Sequence, residues 1–249
     1  MNQTIETMLN HRSIRKFKNT PLSNEQIETI VKSAQMASTS SYIQAYTIIG
    51  VKNKEKKETL AKLAGNQPYV ANNGHFFIFC ADLYRHYLAG DLEGVKVEDS
   101  IQSTEKFIVS VVDASLAAQN ATIAAESLNL GICYIGGLRN NILEVSELLK
   151  LPPYVIPLFG LAVGVPENLS DQKPRLPLEN IYQEEEYIQN KEHYISQLKD
   201  YNTTVSSYYE QRTGGKRKDH WTEQMASMLS EPKRMHMKEF LEKKGLNKT

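Results

Sequence analysis

The stretch "TEKFIVSVVDASLAAQNATIAAESLNLG", residues 104 to 131, limits the fold more than any other part of the chain. It holds no proline, is rich in alanine, and has apolar positions almost all the way round a helical wheel. That pattern predicts one long helix, about 40 Å if unbroken. It also predicts a helix buried through the centre of the molecule and not laid on its surface, stopped by Gly131 as C-cap. Four short apolar runs with turn residues nearby frame it: "YTIIGV" (46–51), "FFIFCA" (76–81), "ICYIGG" (132–137) and "IPLFGLAVG" (156–164). These read as interior strands. Upstream, Ser23 followed by Gln26 is a capping-box start for a helix carrying Ile27, Ile30, Val31 and Ala34 at helical spacing. Strands separated by helices give an α/β or α+β sheet covered on its faces, around one core and with no low-complexity linker to divide it.

From Tyr182 the composition becomes polar and tyrosine-rich, and proline is absent until Pro232. Tyr187, Tyr194, Tyr201 and Tyr208 recur every seven residues beside Ile188, Ile195, Leu198, Val205 and Tyr209. The spacing predicts a helical stripe, packed either on its own core or against another subunit. Across the 249 residues, 29 basic side chains balance 29 acidic ones, so the chain as a whole has no electrostatic attraction to nucleic acid or to an anionic membrane. No apolar leader follows a basic start and no run of 18 apolar residues occurs, so neither a signal peptide nor a membrane span is expected, and the expected location is cytoplasmic. Cys80 and Cys133 lie far apart in apolar strings, which suits buried free thiols. The charge is local: from Arg212 to Thr249 there are ten Lys or Arg against five Asp or Glu, four of the cations in "RTGGKRK".

Common catalytic signatures are missing: G-x-G-x-x-G after the first strand, a Walker loop, H-E-x-x-H, C-x-x-C and G-x-S-x-G. The six histidines never take ligand spacing, so no metal site is expected. Instead there are three separated groups suited to binding anions. In "HRSIRKF", an extended chain would put His11, Ser13 and Arg15 on one side, and a helix would stack His11 and Arg15 one turn apart. In "KPRLP", Pro174 forces Lys173 to be extended, so Lys173 and Arg175 project together, as a phosphate clamp or as part of a proline-rich surface loop. In "GNQPY", Gln67 is likewise extended before Pro68, with its amide expected to be free for a polar ring edge. Ser38, Thr39, Ser40 and Ser41, and the flexible Gly136, Gly137 and Arg139, offer more donors.

In order along nearly the whole chain, "HRSIRKF", "ASTSSYIQAY", "GNQPY", "GICYIGGLRN", "FGLAVGVP", "KPRLP" and "QRTGGKRKDHW" resemble the nitroreductase and flavin reductase family, in its larger bacterial FMN-dependent, NADPH-using branch. The resemblance implies a single α+β domain over 1–249 with a mostly antiparallel central sheet. From about residue 182 it implies a helical, basic C-terminal extension. It implies an intertwined homodimer with FMN at the interface and the C-terminal segments embracing the partner. Carried over, His11, Arg12, Ser13, Lys173 and Arg175 match positions around the FMN phosphate, and Arg15 matches the cation beside the pyrimidine end of the ring. Ser38, Thr39, Ser40, Ser41 and Gln67 match ring and ribityl contacts, with Tyr69 nearby, and Tyr134, Ile135, Gly136, Gly137 and Arg139 match the segment along one side of the cofactor. Arg212, Lys216, Arg217 and Lys218 match a mobile loop that grips the 2′-phosphate of NADPH, with NADH as a possible donor. The implied reaction is ping-pong hydride transfer through flavin N5 to nitroaromatics, quinones, free flavin or dioxygen, with no side-chain nucleophile and with Arg15 as electrostatic support. Two alternatives remain at this point: a flavin reductase or peroxide-forming oxidase, and a noncatalytic sensor of flavin or nucleotide.

Overall fold

Four strands pair in one antiparallel sheet of spatial order β1-β2-β4-β3: β1 (Tyr46–Val51), β2 (His75–Asp82), β3 (Gly131–Ile135) and β4 (Val155–Gly164). Tyr46 stands opposite Ala81 and Val51 opposite Phe76; on the other side of β2, His75 faces Val163; at the far edge Gly131 faces Gly164. All of β2 is buried, which explains why "FFIFCA" shows no alternation: both faces of the strand are covered. Phe77, Phe79 and Ala81 join a cluster with the helix Asn24–Gln35 and the long helix, whereas Phe76, Ile78 and Cys80 join a second cluster with the helix Lys54–Leu63 and Val145. Burial pushes both the Cys80 and Cys133 thiols up, and neither is in a disulfide.

This structure, a computed structural model, describes every residue from Met1 to Thr249 and divides into two units, Met1–Ser170 with Arg234–Thr249, and Asp171–Lys233. In the first unit the capping box is present as expected, Ser23 Oγ accepting from the Gln26 amide at 3.1 Å and the Gln26 side chain accepting from the Ser23 amide at 2.9 Å. The long helix spans Thr104–Ser127 and ends at Leu128, with Asn129 left-handed at φ 58°. Gly131 is therefore not its cap. It opens β3, and glycine is needed there because a Cβ would lie 2.6 Å from Ile14 Cγ1. The third strand stops at Ile135, and Gly136–Asn141 form a 3₁₀ turn.

The helix is also not buried all round. Ala114, Ala117, Ala118, Ala121 and Ala125 sit in the core, while Ile108, Val112 and Leu116, each four residues apart, are about half exposed. Small alanines let the inner face approach the sheet, and the bulkier aliphatics make an outer stripe. By length and composition this helix would be able to cross a membrane; here its inner face packs on the sheet and on the helix Asn24–Gln35.

The second unit is built on the helix Lys191–Thr213. Asn190 caps it by accepting from the His193 amide at 2.9 Å, and Gly214 and Gly215, at φ 60° and 83°, end it. Tyr201, Val205 and Tyr209, one turn apart, are buried with Leu176, Tyr208 and Trp221. Asn202 and Thr222 exchange two hydrogen bonds, of 2.7 and 3.1 Å, which fasten the helix Trp221–Ser230. The tyrosine stripe thus serves its own small core at 201–209, while Tyr187 precedes the helix, stacks on Tyr194 with ring centroids 6.1 Å apart, and remains exposed along with Ile188 and Ile195.

Candidate active site

The opening motif is extended. Ser13 bridges Ile132 and Phe17 bridges Pro166; the Ile14 amide donates to the Ile132 carbonyl at 2.8 Å and the Lys18 amide to the Val165 carbonyl at 2.9 Å. Ile14 turns into the core at 3% exposure, so strand alternation leaves Ser13 and Arg15 together on the opposite side. Arg15 lies close enough to β3 to oppose the burial-driven rise of the Cys133 thiol. Arg12 donates to the Asn10 carbonyl at 3.2 Å and lines a cleft of about 460 Å³ with Glu6, Glu126 and Leu130. Neither Arg12 nor Arg15 has a carboxylate partner within 4 Å.

His11 does have one: its Nδ1 meets Glu126 Oε1 at 2.7 Å. Glu126 stands near the end of the long helix. One turn earlier on that helix, the buried Thr122 donates to the Tyr134 hydroxyl at 2.9 Å. Further back, Asp113, fully buried, accepts from the amides of Ser40 at 3.1 Å and Ala45 at 3.0 Å. That aspartate clamps the hydroxyl-bearing loop, in which Ser41, Tyr42 and Gln44 all hold positive φ without being glycine. Each such residue costs on the order of 1 kcal/mol, which the clamp offsets. Asp113, Thr122 and Glu126 were not among the residues expected from sequence. The available signal was polar side chains inside an otherwise apolar, alanine-rich helix.

Gln67 is extended, at φ −90° and ψ 101°, but its amide is not free. Nε2 donates to the Ala64 carbonyl at 2.7 Å, and Oε1 accepts from the Tyr69 hydroxyl at 2.6 Å. The local turn folds back on itself and leaves one donor and one lone pair of that amide for a ligand. Gly137 packs directly on it: a Cβ there would fall 2.4 Å from the Ala64 carbonyl oxygen and 2.6 Å from Gln67 Nε2. Ile135 and Gly137 are buried, while Tyr134 is 36% exposed with its ring edge-on to Phe159. Arg139 turns inward and donates to the Leu158 carbonyl; burial, then Arg234, holds its guanidinium below its ordinary value. It anchors the turn.

In the second unit, Lys173 and Arg175 are exposed on a segment pinned where the Tyr201 hydroxyl donates to the Pro174 carbonyl at 2.9 Å. Neither forms an ion pair. The basic loop differs. Arg217 pairs with Asp219 and lies over the Tyr209 ring at 4.6 Å, Lys218 meets Glu210 at 2.8 Å, and Arg212 meets Asp171 at 3.7 Å while donating to the Tyr208 hydroxyl at 3.0 Å. Lys216 is exposed beside them.

Comparison with known proteins agrees over the full length. The sequence model of the Nitroreductase family matches residues 8–165, and that of the Nitroreductase family C-terminal domain matches residues 173–249. The chain is 53% identical over 248 residues to the "FMN reductase (NADPH)" of Bacillus subtilis (strain 168), covering 100% of both chains. The solved structure of B. megaterium NfrA1 is 62% identical, with a TM-score of 0.98 over 99% of this chain and 100% of that one. The NADPH:FMN oxidoreductase from Vibrio harveyi complexed with NAD+ is 37% identical, with a TM-score of 0.89 over 100% of both. On the antiparallel sheet with its long helix, the ordered motifs and these matches, the chain belongs to the nitroreductase family.

Proposed function

We propose that this chain is an FMN-dependent NADPH oxidoreductase working by a ping-pong cycle. It takes nitroaromatic, quinone or free-flavin acceptors. The observation that carries the reading is the opening segment, stitched by backbone hydrogen bonds to β3 and to the chain just after β4, with Arg12 and Arg15 on it and neither in an ion pair. Such fixed, unpaired donors suit a resident anionic cofactor. Bound FMN supplies the centre that accepts and returns hydride, at N5.

The chain's own residues bind and orient. His11, Arg12 and Ser13 of the first unit are assigned to the phosphate, with His11 held by Glu126; Lys173 and Arg175 of the second unit carry the same assignment on the family resemblance. Arg15 favours the negative charge that reduction places on the pyrimidine side of the ring. Ser38 to Ser41, Gln67, Tyr69 and the run from Tyr134 to Gly137 supply ring and ribityl contacts. Arg212, Lys216, Arg217 and Lys218 receive the 2′-phosphate of the donor, with NADH a weaker alternative.

The chain acts as a cytoplasmic homodimer. Support comes from the outer stripe Ile108, Val112 and Leu116, an apolar face on the long helix that this chain leaves uncovered. A second reading, a dedicated flavin reductase, is favoured by the name of the Bacillus subtilis relative; free FMN as the acceptor with the highest kcat/KM would establish it. The test is steady-state turnover with NADPH and a nitroaromatic, both varied. Parallel double-reciprocal lines are expected, and intersecting lines or no NADPH oxidation would defeat the proposal.

A further inference from the structure

The first unit carries a cleft of about 780 Å³ between the loop after the opening motif, the end of β1 and the start of β2. Lys18, Lys52, Lys54 and Lys57 line it, and no aspartate or glutamate does. None of these residues belongs to the flavin or NADPH assignments above. In a chain with as many acids as bases, four lysines around this cleft form a local excess of positive charge, answered only from outside the lining, where Lys54 Nζ meets the exposed Glu58 at 3.9 Å and Lys52 donates to the Asn24 side chain at 2.9 Å.

Three features make that excess costly unless an anion answers it. Lys57 is only 8% exposed, and its Nζ donates to the Asn73 carbonyl at 2.9 Å and to no carboxylate; burial holds its ammonium below its ordinary value. Lys54 and Lys57 also stand in the first turn of the helix Lys54–Leu63, the end where the helix dipole concentrates positive charge, with Glu55 the one acid in that turn. His75 is 3% exposed in the same wall, and its Nε2 has no hydrogen-bond partner. Burial first, then Lys52 and Lys57, push His75 down to about 4, so at neutral pH the imidazole carries no charge.

We infer that this cleft is a second anion site, taking a small phosphate-bearing molecule of nucleotide size. Its volume falls in the range of small-molecule pockets and exceeds what a single phosphate fills. The lysines supply charge-assisted donors, and the added negative charge relieves the mutual repulsion that they impose on His75.

The test titrates FMN-saturated full-length protein with AMP and with inorganic pyrophosphate by calorimetry, while the His75 ring signals are followed by NMR. Binding is expected, with the His75 titration moving to higher pH in the complex. The double variant Lys52→Gln/Lys54→Gln, which alters two exposed side chains, should weaken binding about tenfold or more, equivalent to one decade in Kd. Lys18→Gln should add a smaller loss. The inference is overturned if neither probe binds, if binding is unchanged in the double variant, which would place the anion elsewhere, or if His75 does not respond to bound probe. Preferential binding of an oligonucleotide over both small probes would also overturn it.

Discussion

The opening segment and the loop around Arg217 are both basic, yet they hold their charge in opposite ways. Arg12 and Arg15 lie on a segment held to the sheet by its Ser13–Ile132 and Phe17–Pro166 bridges, and neither forms an ion pair, although Glu6 and Glu126 line the Arg12 cleft. Arg212, Arg217 and Lys218 are each paired with a carboxylate on their own unit: Asp171, Asp219 and Glu210. Lys173 and Arg175, although in the same unit as the basic loop, resemble the opening segment in lacking any such pair. A resident cofactor is best held by donors that never change partner, because their organisation is complete before it binds. A donor that enters and leaves at each turnover is better served by cations that rest on weak, exposed ion pairs and exchange them for a phosphate. Under the proposed function, the contrast matches the division between residues assigned to FMN and residues assigned to NADPH.

The largest effect is expected at the resident set. Lys173→Ala with Arg175→Ala should weaken FMN binding by about a hundredfold or more, from the loss of two charge-assisted contacts, and the purified protein should be colourless; full flavin retention would remove the clamp. Next, Arg15→Ala should leave FMN bound but slow flavin reduction in stopped-flow by about ten- to a hundredfold, and an unchanged rate would break the charge argument. Arg217→Ala should then raise KM for NADPH by about tenfold with NADH nearly unaffected; an equal effect on both donors would show that the loop does not read the 2′-phosphate. The smallest effect is the most diagnostic. Asp219→Asn removes the acid on which Arg217 rests, and KM for NADPH should fall by a few-fold, the scale of an exposed ion pair; a rise would mean that the acid orients the arginine and does not compete for it.

Much of the fold was legible because its signals are local. The Ser23–Gln26 box, the all-apolar β2 and the alanine-rich helix each carry their own pattern. The misreadings came from effects that span the chain. Gly131 looked like a helix cap because a glycine after a long helix usually is one; what demands it is Ile14, more than a hundred residues earlier. The helix looked buried all round because a sequence pattern does not distinguish a face covered by the same chain from one left outside it, as Ile108, Val112 and Leu116 are. The Gln67 amide looked free because the sequence does not show a Tyr69 hydroxyl folding back onto it. The supports of the candidate site, Asp113, Thr122 and Glu126, passed unnoticed among alanines although a buried acid in such a helix nearly always has donors to meet.

A flavin held by fixed cations and reduced by NADPH has a direct optical signature. The most direct measurement is the visible absorption spectrum of the purified protein, recorded without oxygen before and after one equivalent of NADPH. Oxidised-flavin bands are expected that bleach on addition and return when a nitroaromatic or quinone is supplied. A protein that stays yellow with NADPH, or that is colourless after incubation with excess FMN and removal of the unbound flavin, would contradict it.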